Sequence, residues 1–291
     1  GRLGIGEWHM GGAVASRIRR VDRGCHAAGV DFLLDAKALY CRSDPRRVQG
    51  IDMPSIINSP NAPFCVVADW GTSNFRLWLL SGDGTPLEER RSEDGLTRIT
   101  DRNFAAVLET KLAEMNAPSG LPVVICGMAG SRQGWVEAPY VETPASLDTV
   151  LLNAVRVPGL RRDVRILPGI AQRSASAPDV MRGEEKQLLG MSGLGGDQTV
   201  CMPGTHCKWV SLRERVVTRF TTFLTGELYS VFSTATLLKH SVDPAARVQP
   251  DNAEFLDTCA ELIQAPELLT ARLFTIRAAG LLHGLSPAKA S

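Results

Sequence analysis

The clearest pattern in the chain is a pair of apolar runs separated by a short polar turn. Phe64–Ala68 and Phe75–Leu80 have the length and composition of two paired strands. The turn begins at the carboxylate of Asp69 and contains Gly71 and Asn74. Such a turn points backbone N–H groups at one spot, where they can bind an anion beside a metal-holding acid. An ordinary β-hairpin, in which the glycine and the asparagine serve turn geometry only, explains the same segment.

Helical spacing follows, and then another strand. Asp101 is a candidate N-cap for a helix with one apolar face, which consists of Phe104, Val107, Leu108, Leu112 and Met115. Val123–Cys126 is a short buried strand that runs into the loop at 127–131. The order strand, turn, strand, helix, strand predicts an α/β fold with ligand-binding loops at strand ends.

The second half of the chain repeats the strand–turn–strand pattern. Thr199–Met202 and Lys208–Ser211 flank a second Gly-Thr turn at Gly204. A helix is predicted after Gly183, and amphipathic spacing predicts further helices around 228–238, 255–263 and 268–282. Two such turns, one in each half, could grip a triphosphate from both sides.

The glycines at 193–196 indicate a flexible joint, and we place a domain boundary there. The predicted organisation is an N-terminal domain at 63–196, a partial C-terminal domain at 197–291 and an unassigned extension at 1–62. The extension carries scattered arginines and aspartates without periodicity, and Met53 is a plausible natural start.

Composition and charge exclude several classes of protein. The 291 residues carry a net charge of +1, which indicates neither disorder nor a global affinity for nucleic acid. No apolar run reaches the ~20 residues of a membrane span. Seven cysteines without a C-x-x-C pair favour reduced, cytoplasmic thiols, and a zinc site at Cys201, His206 and Cys207 lacks a second ligand pair. The P-loop and Rossmann glycine motifs are absent.

Six segments in order carry a resemblance to a known family. They are Ala68–Arg76, Ser92–Arg98, Gly127–Trp135, Met181–Leu188, Met202–Trp209 and Leu224–Leu228. On these segments the chain resembles the 2-dehydro-3-deoxygalactonokinases, sugar-acid kinases of the actin and hexokinase-like ATPase superfamily, over roughly residues 63–286. The fourth and fifth segments are highly specific, whereas the first is shared across many related kinases.

The resemblance implies two ribonuclease-H-like domains of the actin and hexokinase type, the second incomplete, closing over ATP and substrate. It implies that Asp69 holds Mg²⁺. The implied nucleotide-binding residues of the first phosphate loop are Asp69, Gly71, Thr72, Ser73, Asn74 and Arg76. Those of the second phosphate loop are Gly204, Thr205, His206 and Lys208.

The catalytic residues are predicted from the same resemblance. Related sugar kinases place a carboxylate after a glycine, at a helix start shortly before the second phosphate loop, where this chain has Glu184 and Glu185 after Gly183. From this position we predict Glu184 as the general base, with Glu185 beside it. Two adjacent acids can raise one pKa toward neutrality if both are buried. The alternative is that both acids simply suit the dipole of a helix N-terminus.

The substrate site is predicted at the loop after Val123–Cys126. The implied sugar-contacting residues are Gly127, Met128, Gly130 and Ser131. Trp135 is either a sugar platform or a core residue. A 2-keto acid needs a cation for its carboxylate, and the sequence does not rank the three arginines that qualify, Arg98, Arg132 and Arg182.

The activity implied is ATP-dependent phosphorylation of the 6-hydroxyl of 2-dehydro-3-deoxy-D-galactonate in galactonate catabolism. The expected setting is cytoplasmic, without nucleic-acid or membrane partners and with a homo-oligomer left open. One alternative is a kinase of another sugar acid. A second is a non-catalytic sugar-acid-binding protein, because the resembling proteins continue past Pro287 with a Gly-Thr loop that contacts the adenosine.

Overall fold

The computed structural model describes residues 18–20, 62–191, 196–246, 248–249 and 251–290. Residues 193–195 of the predicted joint at 193–196, and most of the predicted extension at 1–62, lie outside the described residues. The strands in chain order are β1 (Ile18–Arg20), β2 (Pro63–Trp70), β3 (Phe75–Ser81), β4 (Pro86–Ser92), β5 (Val123–Gly127), β6 (Val141–Glu142), β7 (Ala145–Ser146), β8 (Val155–Arg156), β9 (Val164–Ile166), β10 (Ile170–Gln172), β11 (Asp179–Met181), β12 (Asp197–Met202), β13 (Cys207–Arg213) and β14 (Val216–Phe223).

The α-helices are α1 (Phe104–Glu114), α2 (Leu147–Leu152), α3 (Glu185–Leu189), α4 (Gly226–Ala235), α5 (Ala253–Gln264), α6 (Leu269–His283) and α7 (Pro287–Ala290). Short 3₁₀ turns lie at Leu96–Arg98, Met128–Gly130, Leu237–His240 and Pro266–Leu268. None of the described helices is both long and apolar enough to cross a bilayer.

The strands form mixed sheets, so the predicted α/β class is confirmed in its coarse form. The largest sheet has the order β4-β3-β2-β5-β9-β8, in which β2, β3 and β4 are antiparallel neighbours and β5 lies parallel to β2. A five-stranded sheet has the order β1-β12-β13-β14-β7, and a three-stranded sheet has the order β11-β10-β6. The two strand–turn–strand patterns of the sequence correspond to β2–β3 and β12–β13.

Local sequence explains where the first helix begins. The side chain of Asn103 accepts the N–H of Ala106 and caps α1. The predicted cap, Asp101, is wrong by two residues, because its carboxylate instead accepts the N–H of Asn103. Phe104 of the predicted apolar face is fully buried against the large sheet.

The large sheet separates two hydrophobic clusters, because successive side chains of a strand point to opposite faces. Val66 and Trp70 of β2 pack with α1 on one face. Cys65 and Val67 face the other cluster, which contains α2, α3 and the five-stranded sheet. Each fully buried leucine or phenylalanine there contributes roughly 1.5–3 kcal/mol to stability. By the same alternation, Asp69 points to the face that carries α3.

The described residues divide into two compact units. The first unit contains the residues up to Pro203 together with Lys208–Thr222, and the second contains Gly204–Cys207 and the residues from Phe223 onward. The first unit holds both hydrophobic clusters. In the described part of the second unit, α4 to α6 carry many exposed apolar side chains, among them Tyr229, Phe255 and Phe274.

Candidate active site

The first predicted phosphate loop is a closed turn between β2 and β3. The N–H of Gly71 donates to the carbonyl of Asn74 at 2.9 Å, which closes the turn. Thr72, Ser73 and Asn74 are exposed. These three residues are therefore open to solvent, as the residues of an anion-binding loop must be.

A neighbouring segment supports this turn from behind. The N–H of Leu96 donates to the carbonyl of Gly71 at 3.0 Å. Gly95 lies so close that a Cβ there would stand 2.4 Å from the backbone of Ser73. Real Cβ atoms do not approach backbone atoms this closely, so the position of the turn depends on glycine at residue 95.

Asp69, the residue before the last one of β2, forms an ion pair. Its Oδ1 lies 2.6 Å from Nζ of Lys186, and Arg76 stands opposite Asp69 in the β2–β3 ladder. Burial acts to lower the pKa of Lys186, but the charges of Cys126, Asp69 and Glu185 and the hydrogen bond to Asp69 raise it overall. The ion pair with Asp69 therefore favours the charged form of this lysine, beside the predicted metal ligand.

Glu184 and Glu185 follow the turn at Gly183, which has a φ of 104°. Oε2 of Glu184 accepts the N–H of Arg182 at 3.1 Å, and its Oε1 lies 3.1 Å from Nζ of Lys208. Oε2 of Glu185 accepts the N–H of Gly183 at 2.6 Å, and Oε1 of Glu185 is buried without a protein partner. Each acid thus holds part of the loop that precedes α3.

The pKa of Glu185 is raised from 4.5 to about 7. Burial is the larger cause, and the neighbouring charge of Glu184 is the next. The raised pKa of Glu185 thus comes first from its burial, and the adjacent acid noted in the sequence adds to it.

Three chain segments converge at the edge where β2 and β5 end. These strands are parallel neighbours, and Trp70 pairs with Gly127. Gly127 has a φ of 90°, and a Cβ there would lie 2.7 Å from the carbonyl oxygen of Trp70 and 3.5 Å from Oδ1 of Asp69. A Cβ on Gly183 would lie 3.5 Å from Cα of Gly127. The fold therefore brings Asp69, the loop after β5 and the start of α3 together.

Arg182 lies under the loop after β5. Its Nη2 donates to the carbonyl of Ala138 at 2.8 Å, and its guanidinium stacks over the ring of Tyr140 at 4.3 Å. Nε and Nη1 of Arg182 and Oγ of Ser131 are buried without protein partners. A Cβ on Gly130 would lie 2.7 Å from Nη1, so the loop rests directly on the arginine. Buried polar groups without protein partners are uncommon, which makes these atoms candidates for contacts with a ligand.

The other two predicted arginines are surface residues. The side chain of Arg98 is 62% exposed and lies 2.6 Å from Glu93. The side chain of Arg132 is 84% exposed and 3.9 Å from Glu137. Exposed pairs of this kind contribute little to stability. The structure thus separates Arg182 from Arg98 and Arg132 by burial, which the sequence could not do.

Trp135 belongs to an aromatic cluster. Its ring stacks on Phe104 with a centroid distance of 6.0 Å and an interplanar angle of 10°, and it meets Trp70 edge to face. Met128 begins the 3₁₀ turn that follows β5 and is partly buried. These contacts support the core interpretation of Trp135.

The second predicted phosphate loop is tied to the start of α4 within the second unit. The N–H groups of Gly226 and Glu227 donate to the carbonyls of Gly204 and Thr205 at 3.2 and 3.1 Å. His206 contacts the carboxylate of Glu227. Lys208 belongs to the first unit, where it is buried beside Glu184.

The sequence reasoning missed Lys186 and Gly95. Both lie inside segments that carried the family resemblance, but nothing local distinguishes them from a surface lysine and a turn glycine. In the described part of the chain, no three His, Cys, Asp or Glu side chains cluster as a metal site. A metal at Asp69 would therefore need most of its ligands from elsewhere.

Comparison with known proteins identifies relatives. A sequence model of the family DGOK, 2-keto-3-deoxy-galactonokinase, matches residues 69–291. A probable 2-dehydro-3-deoxygalactonokinase of Rhizobium meliloti (strain 1021) is 48% identical over 231 residues, which cover 79% of this chain and 76% of the relative. The 2-dehydro-3-deoxygalactonokinase of Escherichia coli (strain K12) is 35% identical over 222 residues, or 76% of this chain and 72% of the relative.

A solved structure is also similar. The crystal structure of a candidate 2-dehydro-3-deoxygalactonokinase protein from Sinorhizobium meliloti superposes with a TM-score of 0.74 at 48% identity. The match covers 78% of this chain and 76% of that chain.

Proposed function

The chain belongs to the 2-keto-3-deoxy-galactonokinase family, and we propose that it transfers the γ-phosphoryl group of ATP to the 6-hydroxyl of 2-dehydro-3-deoxy-D-galactonate. The family predicted from the sequence is thereby confirmed. The observation that carries the reaction is the gathering of Asp69, Glu184 and two lysines where β2 and β5 end. Phosphoryl transfer depends on positioning and charge stabilisation, which such an arrangement supplies.

Magnesium fits this site only as part of a nucleotide complex. Mg²⁺ usually binds through one or two carboxylates together with substrate phosphates and water. Asp69, whose side chain is 19% exposed at the end of β2, supplies one such carboxylate. When bound with ATP, the ion neutralises charge on the phosphates.

The two turns are the phosphate loops in this proposal. Thr72, Ser73 and Asn74 offer exposed donors to the terminal phosphates. Gly204, Thr205 and His206 form the second loop. In this proposal each hairpin provides the first strands of one ribonuclease-H-like domain. The compact units divide differently, because β12 and most of β13 belong to the first unit.

Glu184 is the proposed general base. Its side chain is 24% exposed, whereas Glu185 is fully buried and has no access to substrate. Glu184 would accept the proton of the 6-hydroxyl as the oxygen attacks the γ-phosphorus. Lys208 orients this carboxylate, and Glu185 holds the backbone of Gly183 in place.

Arg182 is the proposed partner of the substrate carboxylate. It is the least exposed of the three candidate arginines, and its Nε and Nη1 are buried without protein acceptors. Ser131, with a buried hydroxyl in the same condition, would contact a sugar hydroxyl. A site whose buried polar groups are paired by the correct substrate discriminates strongly against substrates that leave these groups unpaired.

A coupled assay of ADP release with 2-dehydro-3-deoxy-D-galactonate tests the proposal. Glu184→Gln should lower kcat by at least about 100-fold with little change in ATP affinity. Glu114→Gln, an exposed carboxylate on α1, is the matched control and should leave kcat unchanged.

The alternatives give different results in the same experiment. Turnover of a different sugar acid with higher kcat/KM would identify another kinase specificity. Saturable binding of the sugar acid without ADP release would identify a binding protein and contradict the proposed reaction. A wild-type rate in Glu184→Gln would remove Glu184 as the base.

A further inference from the structure

The carboxylate of Asp69, the proposed metal ligand, is already paired with a cation. Nζ of Lys186 lies 2.6 Å from Oδ1 of Asp69, and the two side chains are 21% and 19% exposed. A contact of this length is a charge-assisted hydrogen bond, which fixes the geometry of both groups. One of the two carboxylate oxygens is therefore covered by an ammonium group in this structure.

The helix that carries Lys186 holds it in this position. Lys186 is the second residue of α3, and Leu188 and Leu189 of the same helix are buried in the core. Glu185, the preceding residue, is also fully buried. The anchored helix thus presents the lysine to Asp69 as a fixed part of the site, not as a loose surface side chain.

Lys208, the other lysine of the site, pairs with a different carboxylate. Nζ of Lys208 lies 3.1 Å from Oε1 of Glu184. Lys186 and Lys208 therefore each neutralise one acid. Because of this division, removing the charge of Lys186 uncovers Asp69 and leaves the pair at Glu184 in place.

We propose that Lys186 is a positioning residue that covers Asp69 until the nucleotide arrives, so that a divalent cation enters the site with ATP and not before it. This inference rests on the proposed kinase function. A divalent ion bound to Asp69 alone would meet like-charge repulsion from the ammonium group beside it. The phosphates of a metal–nucleotide complex reverse that balance, because a lysine binds phosphate oxygen as a point charge. Nζ of Lys186 then leaves Asp69 and contacts a phosphate oxygen of the nucleotide.

A titration with Mn²⁺ alone tests whether Lys186 covers Asp69. Electron paramagnetic resonance measures the free ion at each step. Lys186→Met should bind Mn²⁺ at least about tenfold more tightly than wild type, because a like charge beside the ligand is gone. Lys186→Arg keeps the charge and should bind as weakly as wild type. Adding Asp69→Asn to Lys186→Met should abolish the gain, which assigns it to this carboxylate. Lys111→Met, which removes a partly buried charge paired with Asp94 and Glu114, is the matched control.

For the complex of Mn²⁺ with a non-hydrolysable ATP analogue, the order of affinities of wild type and Lys186→Met should be reversed. Lys186→Met should bind this complex about tenfold more weakly than wild type, because it lacks the phosphate contact. A lysine with a merely structural role would not tighten one ligand and weaken the other.

The same titrations can overturn the inference. Circular dichroism checks folding, and Lys186→Gln replaces the methionine variant should that one not fold. Equal Mn²⁺ affinity in the folded variant and wild type would overturn the covering of Asp69. Equal affinity for the nucleotide complex would overturn the transfer to phosphate. Both measurements are independent of turnover, so a wild-type protein without ADP release would defeat the proposed reaction and not this assignment.

Discussion

Glu184 and Glu185 are consecutive in the chain, yet the fold gives their carboxylates different neighbours. Glu184 is paired with Lys208 and partly open to solvent. Glu185 is fully buried, and its Oε1 has no protein partner. Two acids at one helix start can therefore divide their roles, because environment and not residue type decides which one meets the substrate.

The burial of Glu185 predicts a pH-dependent stability. Burial and then the charge of Glu184 raise its pKa to about 7 in the folded protein, from 4.5. Between these values the folded protein holds a proton that the unfolded chain has released, so the free energy of unfolding falls as pH rises. Relative to Glu185→Gln, wild type should lose about 3 kcal/mol between about pH 4 and pH 8, mostly between the two pKa values.

Urea unfolding at each pH measures this difference. Glu114→Gln, exposed on α1, should follow the pH profile of wild type. Parallel profiles for wild type and Glu185→Gln would show that Glu185 titrates normally.

The three candidate arginines give a second prediction at this scale. Arg182→Lys should raise the KM for the sugar acid at least about tenfold, because lysine lacks the planar donor group that binds a carboxylate. Arg98→Lys and Arg132→Lys keep an exposed charge and should leave KM within about twofold of wild type. A KM series on folded variants checks this, and a selective effect of Arg98→Lys or Arg132→Lys would move the carboxylate site to that residue.

The residues predicted from the sequence differ in how well their surroundings could be foreseen. Asp69, Glu184 and Glu185 lie in recognisable segments, so they could be named before their partners were known. Lys186 could not be assigned, because its pairing with Asp69 depends on how α3 packs against the large sheet. The ranking of Arg182 likewise required burial, a property of the folded chain.

At the scale of elements, the first phosphate loop is positioned by a segment outside the hairpin that forms it. Leu96 donates a backbone hydrogen bond to Gly71, and Gly95 packs against Ser73 without room for a side chain. The hairpin pattern predicts β2 and β3 correctly. The same pattern does not predict the contacts of Gly95 and Leu96 with the loop, because these residues lie in the segment after β4.

Gly95→Ala should therefore displace the first phosphate loop. The new Cβ would meet the backbone of Ser73 at 2.4 Å, so the turn must shift. We expect ATP affinity to fall about tenfold or more, since misplacement of about 1 Å in a positioned site can cost 100-fold in rate. Gly120→Ala is the matched control, because its Cβ would meet nothing within 4 Å. Calorimetric titration with ATP compares the two, and equal affinities would show that the loop does not need this support.

The helices of the second unit show where a sequence pattern stops being informative. Amphipathic spacing predicts α4, α5 and α6, and all three are present. Leu228 and Val231, apolar residues of the predicted helix around 228–238, are 44% and 43% exposed. Periodicity identifies the apolar face of a helix, but what covers that face depends on the rest of the fold.

At the scale of the whole molecule, burial is unevenly divided. Both hydrophobic clusters belong to the first unit. In the described part of the second unit, Leu238 is the large apolar side chain with the least exposure, at 8%. Because stability follows the apolar surface removed from water, we expect the second unit to unfold at a lower temperature.

The distribution of chromophores makes this expectation measurable. Tryptophans of the described residues all lie in the first unit, at Trp70, Trp78, Trp135 and Trp209. The longest helices, α5 and α6, lie in the second unit. Fluorescence therefore reports on the first unit and far-ultraviolet circular dichroism largely on the second. Trp8 lies outside the described residues, so Trp8→Phe is the background for both measurements.

On heating, the helical signal should fall before the tryptophan signal changes. Leu238→Ala should lower only the earlier transition, and Leu108→Ala, at a fully buried position of α1, should lower only the later one. Removing a buried leucine costs about 2–5 kcal/mol, which is large enough to move either midpoint by several degrees. Coincident transitions that both variants shift together would mean that the protein unfolds as one cooperative body, because separate units cannot share every perturbation.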